Sequence, residues 1–154
     1  MYTQAPRLSD AEFQSMLKEE TVARICSLNE DGTIHATTVN YKYDAGRIMV
    51  ATPKASRKAK NLERNGQVTI LVDVIGPGLS ETRGAIVYGR ARLQKIEFSQ
   101  FVAINEVWMS SEKVKDWTTS LMGLTEWVLI NVEPEKVTSW DYAKDKKFSA
   151  IFAD

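Results

Sequence analysis

Lys54, Arg57, Lys58 and Lys60 place four cations within seven residues, in the run Thr52-Pro53-Lys54-Ala55-Ser56-Arg57-Lys58-Ala59-Lys60-Asn61-Leu62. Ala55, Ala59 and Leu62 recur at i, i+4 and i+7, so the spacing predicts a short amphipathic helix over 53–65, stopped by Asn65-Gly66. The cations then lie in the first turn or so of that helix. The helix dipole favours acids there and bases at the far end, and each misplaced exposed charge costs about a few tenths of a kcal/mol. A bound anion reverses the sign. It meets free N–H groups, the positive end of the dipole, and the Arg57 and Lys58 side chains together. A solvated basic helix, salt-bridged to Glu63, is the competing reading, and local physics alone leaves the two evenly matched.

A second segment, His35-Ala36-Thr37-Thr38-Val39-Asn40, reads as a strand whose alternate residues face opposite ways. Thr and Asn supply uncharged donors and acceptors that suit the polyol and ring edges of a neutral ligand. An ordinary Thr-rich strand carries the same residues. His35 reads as a surface or satisfied histidine and Cys26 as a small core residue. The four tryptophans are core or interface candidates, with Trp140, near the end of the last strand, placed for ring stacking.

Composition narrows the chemistry. Lys+Arg and Asp+Glu both number 20, so the formal net charge is zero. A dedicated nucleic-acid binder is usually basic, and none is expected here. The chain has one histidine, which excludes a multi-His metal site within one subunit, and no metal site is expected. No Gly-x-Ser-x-Gly elbow is present, and Gly76-Pro77-Gly78 is a turn rather than a phosphate loop. Cys26 has no partner for an intrachain disulfide, which fits a reducing cytoplasm. Met1-Tyr2-Thr3-Gln4 lacks a basic n-region, and no apolar run has a membrane-spanning length, so a cytoplasmic protein is expected. The 154 residues are expected to form a single domain over 1–154.

The elements that position these residues are mostly strands. Ser9-Asp10-Ala11-Glu12 is a capping box that opens a helix with Phe13, Met16 and Leu17 on one face. Strands are expected at 22–28, 34–43 and 48–52, joined by tight turns as an antiparallel meander. After the basic helix come strands at 67–74, apolar on both faces, and 83–96. Phe98, Phe101, Ile104 and Trp108 form a helical stripe, followed by a polar stretch over 110–120. Strands at 127–132 and 136–142 flank Glu133-Pro134-Glu135. Six or seven strands and three or four helices imply a mainly β fold, an antiparallel barrel with helices at its rim.

In this order and spacing, the chain resembles the pyridoxamine 5′-phosphate oxidase-like split-barrel flavoproteins. The resemblance rests on Thr52 followed by Ser56-Arg57-Lys58-Ala59-Lys60-Asn61-Leu62-Glu63-Arg64-Asn65 and the strand after it. It rests also on Arg83-Gly84-Ala85-Ile86-Val87-Tyr88-Gly89-Arg90-Ala91, and on Val132-Glu133-Pro134-Glu135-Lys136-Val137-Thr138-Ser139-Trp140-Asp141. It covers roughly residues 20–142. It implies a six- to seven-stranded split β-barrel that binds FMN at a homodimer interface.

By that resemblance Arg57 and Lys58 hold the FMN phosphate, with Ser56 and Thr52 beside them. Thr37, Thr38, Val39 and Asn40 line the ribityl chain and the isoalloxazine edge. Arg83 falls where authentic oxidases make a polar flavin contact, and Gly84 removes a side chain there. The chain departs from those oxidases after residue 90, where it has one arginine, Arg92, and no histidine. The Arg-x-His-type element that reads the vitamin substrate is therefore missing. The implied function is a flavin-dependent oxidoreductase acting on another small molecule. The alternatives are a reductase using F420, a deazaflavin that relatives with similar basic helices bind, and a non-catalytic flavin-binding or sensing module. A haem-binding role has only His35 to draw on.

Overall fold

The computed structural model describes residues 5–78 and 81–151, the side chain of Ser149 excepted. The leader reading of Met1–Gln4, Leu79 and Ser80 of the 75–82 loop, and the last three residues of the tail lie outside the described residues. Helix α1 (Asp10–Glu19) is followed by strands β1 (Val22–Leu28), β2 (Ile34–Asn40), β3 (Lys42–Asp44) and β4 (Arg47–Pro53). Helix α2 (Arg57–Arg64), β5 (Gln67–Val74), β6 (Arg83–Lys95), α3 (Phe98–Asn105), α4 (Ser111–Leu124), β7 (Trp127–Asp141) and α5 (Lys146–Ile151) complete the order.

All seven strands form one antiparallel sheet in the order β2-β1-β5-β6-β7-β4-β3. Its inner face curls around Ala23, Ile25, Ile48, Val50, Val68, Ile70, Val72, Val87, Ile130 and Val132, all at most 2% exposed. Met16 and Leu17 of α1 and Leu62 of α2 pack against that core. The mainly β, split-barrel expectation holds, with short helices around it. The capping box of α1 is present as read, Ser9 Oγ accepting from Glu12 N–H at 3.2 Å and Glu12 reaching back to Ser9 N–H at 2.6 Å.

The expected meander does not form. The strand read over 34–43 breaks at Tyr41. Its first part pairs with β1, from Leu28↔Ile34 to Val22↔Asn40. Its second part pairs with β4, which lies beside β7 rather than beside β2. The two edges of the sheet are thus consecutive in the chain and meet at one residue. Tyr41 is 1% exposed, its N–H bonded to Thr21 O at 3.1 Å and its hydroxyl donated to Leu17 O at 2.9 Å. That burial turns the chain from one edge to the other. It also pushes the Tyr41 phenol well above its ordinary pKa, with the Glu20 charge adding to the effect.

Two further elements differ from expectation. The segments read as separate strands around Pro134 are one 15-residue strand, β7. Tyr88 pairs with Lys136 and Gly89 with Pro134, so Glu135 is an extra residue at a bulge. The bulge absorbs a proline that has no N–H to donate to the ladder. A Cβ on Gly89 would sit 2.5 Å from Glu133 O, so only glycine permits this approach. The polar stretch 110–120 is part of helix α4. Together with α3 it covers the outer face around Met49, Ala51, Leu129 and Trp127.

Candidate functional site

Helix α2 starts one turn later than its apolar spacing suggested, because Ser56 caps it. Ser56 Oγ accepts from Ala59 N–H at 3.3 Å. Asn61, 3% exposed, donates to Ser27 Oγ at 3.1 Å and to Asn29 Oδ1 at 2.9 Å, tying the helix to β1 and to the β1–β2 turn. Ala59 and Leu62 face the core while Ala55 is exposed outside the helix.

The four cations separate. Lys54 lies before the cap and pairs with Glu126 at 2.9 Å, which raises its pKa through that hydrogen bond and the carboxylate charge. Lys58 turns inward and donates to Thr52 Oγ1 at 3.3 Å. Partial burial lowers its pKa, since desolvation disfavours the ammonium. Thr52, 2% exposed, shares a hydrogen bond of 3.0 Å with Ser56 Oγ. Arg57 and Lys60 face a separate hollow on the opposite side of α2. Within one chain, Arg57 and Lys58 therefore do not converge on one point as expected.

Lys58 opens onto a cavity of about 270 Å³. Thr38, Val39 and Asn40 of β2 and Ala51, Thr52 and Pro53 of β4 form one side. Phe101, Ile104, Asn105, Trp108, Trp117, Leu121 and Trp127 form the other. The aromatic wall is braced from behind. Trp127 donates its indole N–H to Leu121 O at 2.7 Å and lies 4.7 Å from the Phe101 ring centre. Asn105 and Thr118, both buried, join α3 to α4 through a 3.1 Å hydrogen bond. Trp108 is 58% exposed at the rim. The cavity thus joins a partly desolvated cation and neutral polar groups on one side to an indole-rich wall on the other.

Of the residues marked in the sequence, Thr38, Val39, Asn40, Thr52 and Lys58 come together here, with Ser56 one hydrogen bond away. Thr37 does not line the cavity. Arg83, the first residue of β6, and Trp140, near the end of β7, lie at the far end of the β6–β7 ladder. Thr52 pairs with Val128, whereas Gly84 pairs with Trp140, twelve residues further along the strand or roughly 40 Å of extended chain. Trp140 packs over Gly84, where a Cβ would lie 2.3 Å from its ring.

The sequence reading missed the α4 contribution. Its signal is Val114, Trp117, Thr118 and Leu121 at i, i+3, i+4 and i+7. His35 is half-buried on β2 and does not line the cavity. Among the described residues, no three of His, Cys, Asp and Glu cluster as metal ligands.

A family model described as pyridoxamine 5′-phosphate oxidase matches residues 9–141. No curated protein matches the chain. A conserved hypothetical protein from Mycobacterium tuberculosis shares 23% identity over 92% of this chain and 91% of its own, with a TM-score of 0.78. An FAD-binding protein from Mesorhizobium loti shares 20% identity over 88% and 94%, with a TM-score of 0.65. A protein described as an F420 reductase shares 16% over 81% and 94%, with a TM-score of 0.62. At these identities the three share the fold.

Proposed function

The chain belongs to the pyridoxamine 5′-phosphate oxidase family, and from that membership we propose that it is a flavin-dependent oxidoreductase binding FMN between two copies of itself. The observation that carries this reading is the meeting of Lys58, Thr52, Thr38 and Asn40 in one cavity walled by tryptophans. Lys58 and the Ser56 hydroxyl suit a phosphate. Thr38, Val39 and Asn40 suit the ribityl chain and ring edge. When bound, the flavin supplies hydride chemistry, and the protein supplies orientation and polarity.

The cavity of one chain supports the need for a second. At about 270 Å³ it falls below the roughly 300–1,000 Å³ that encloses ligands of this size. The outer face of β2, β1, β5 and β6 carries Leu28, Ile34, Leu71, Ile86 and Tyr88, half-buried or exposed. A two-fold contact through that face closes on itself. A second copy is also the route by which Arg83 and Trp140, remote within one chain, take part in the site. An F420-dependent reductase is the second reading, supported by the shared fold of the F420 reductase.

The visible spectrum of the purified protein separates flavin, deazaflavin and haem. Binding then tests the site. A charge-assisted hydrogen bond contributes about 1.5–3 kcal/mol, so Lys58→Ala is expected to weaken FMN about 10- to 150-fold. Riboflavin, which lacks the phosphate, should lose little. Equal losses for both flavins, or none for either, would remove Lys58 from the phosphate site.

A further inference from the structure

The flavin reading uses the strand side of the tryptophan cavity and leaves its helical side without a role. That side is Phe101, Ile104, Asn105 and Trp108, from α3 and the turn after it, with Trp117 and Leu121 of α4. Among the described residues that line the cavity, Lys58 alone is ionisable. Once a phosphate holds it, nothing there pairs a second charge, and an unpaired charge is costly to take out of water. A second ligand in this space is therefore uncharged.

The wall narrows the ligand further. Trp127 has its indole N–H committed to Leu121 O at 2.7 Å and its ring held against Phe101, so it presents carbon to the cavity. Trp108, 58% exposed at the rim, adds a second indole. Such surfaces suit a flat ring, by offset stacking or edge contact. About 150 Å³ of apolar cavity holds a benzene ring, so about 270 Å³ admits one ring or a fused pair. One polar point interrupts the apolar surface. Asn105, 5% exposed, donates its side-chain N–H to Thr118 Oγ1, while its carbonyl Oδ1 has no partner among the described residues and opens onto the cavity. An amide carbonyl only accepts, so the group that meets it is a hydroxyl or a ring N–H.

We propose that the α3–α4 wall is the substrate subsite, taking an uncharged, flat aromatic compound of one or two fused rings whose edge hydroxyl or ring N–H is bonded by Asn105 Oδ1. The proposal rests on the flavin reading above and deepens it from cofactor to substrate.

The test titrates three probes, 1-naphthol, 1-methoxynaphthalene and 1-naphthoate, into the FMN-loaded protein by isothermal calorimetry, so that binding is read without turnover. 1-Naphthol is expected to bind about two- to twelvefold more tightly than its methyl ether, the effect of one neutral hydrogen bond. It should also bind at least about tenfold more tightly than 1-naphthoate, whose charge finds no partner. Asn105→Leu keeps the bulk and should bring 1-naphthol level with the ether. Asn105 is buried, so a second variant, Trp108→Ala at the exposed rim, guards against a loss of fold. It should weaken both neutral probes by about two- to twelvefold and leave their ratio alone. Equal affinities for 1-naphthol and its ether, 1-naphthoate binding as tightly as 1-naphthol, or 1-naphthol displaced as FMN is added would overturn the substrate subsite and leave the flavin reading standing. A protein that takes up no FMN would overturn both.

Discussion

Ser56 shows how much one hydroxyl can settle. The Lys58 ammonium can only donate, so Thr52 Oγ1 is its acceptor at 3.3 Å. With the Thr52 proton directed to Ser56 Oγ, that oxygen accepts from Thr52 and from Ala59 N–H at once. Its own proton is then free to donate to a ligand. In the proposed site, capping and binding would use different parts of one group, which allows them to be separated. Ser56→Ala loses the cap, a cost of about 0.5–2 kcal/mol. Ser56→Asp keeps a capping oxygen and adds a negative charge beside Lys58. It should therefore retain the melting temperature better than Ser56→Ala and bind FMN worse. Paired melting and flavin titrations check this. A Ser56→Asp protein that bound FMN as tightly as the unaltered chain would place the phosphate elsewhere.

At the scale of elements, α1 is secured from both ends of the described chain. Lys144, in a short 3₁₀ turn after β7, bonds Glu12 and also donates to Arg7 O at 3.1 Å. Leu8 N–H donates to Ser139 Oγ at 3.1 Å. The Lys144 contact, followed by the Ser9 N–H, lowers the Glu12 pKa from 4.5 to about 2. A lowered carboxyl contributes stability above its unfolded value and loses it as pH falls through the folded one. The chain should therefore lose stability between about pH 4.5 and 2, and Glu12→Gln should flatten that part of the curve. Circular dichroism melts across this range measure it, and an unchanged acid limb would sever the link. The capping box itself was legible in the sequence because its chemistry lies within four residues. So were the basic helix, the central apolar strand β5 and most of the polar side of the cavity. The turn at Tyr41 was not legible, because Tyr43 on the far side of it continues the same strand-like pattern. What breaks the strand is the burial of Tyr41 against Leu17, a contact 24 residues apart. Pro134 suggested a break that the bulge opposite Gly89 absorbs. The aromatic wall was legible as a helical stripe, but its partner α4 was hidden by polar residues on its exposed face. The divergence of Arg57 from Lys58 follows from 3.6 residues per turn, which sets neighbours about 100° apart.

For the whole molecule, the open face of the sheet carries the expectation of a dimer. Ile86 pairs with Leu71 across two central strands and points away from the core. Ile86→Asp puts a charge on that face while leaving the interior untouched. It should yield a folded monomer by light scattering, with flavin affinity lost because Arg83 and Trp140 no longer reach a neighbouring site. A variant that stayed dimeric and kept its flavin would move the interface elsewhere.

The corner at Tyr41 has a further consequence, for the order in which the protein folds. The hairpins β1–β2 and β3–β4 are local and share this one residue, yet they dock on opposite edges of β5-β6-β7. Neither edge can be fixed to the other until the central three strands exist, so the corner closes late. Contacts absent from the folding transition state govern the unfolding rate instead. Tyr41→Phe removes the hydrogen bond to Leu17 O, worth about 0.5–1.5 kcal/mol. It should speed unfolding by roughly two- to twelvefold and leave refolding nearly unchanged, a split that stopped-flow chevron plots resolve. A matching fall in the refolding rate would instead put the joining of the two sheet edges at the start of folding.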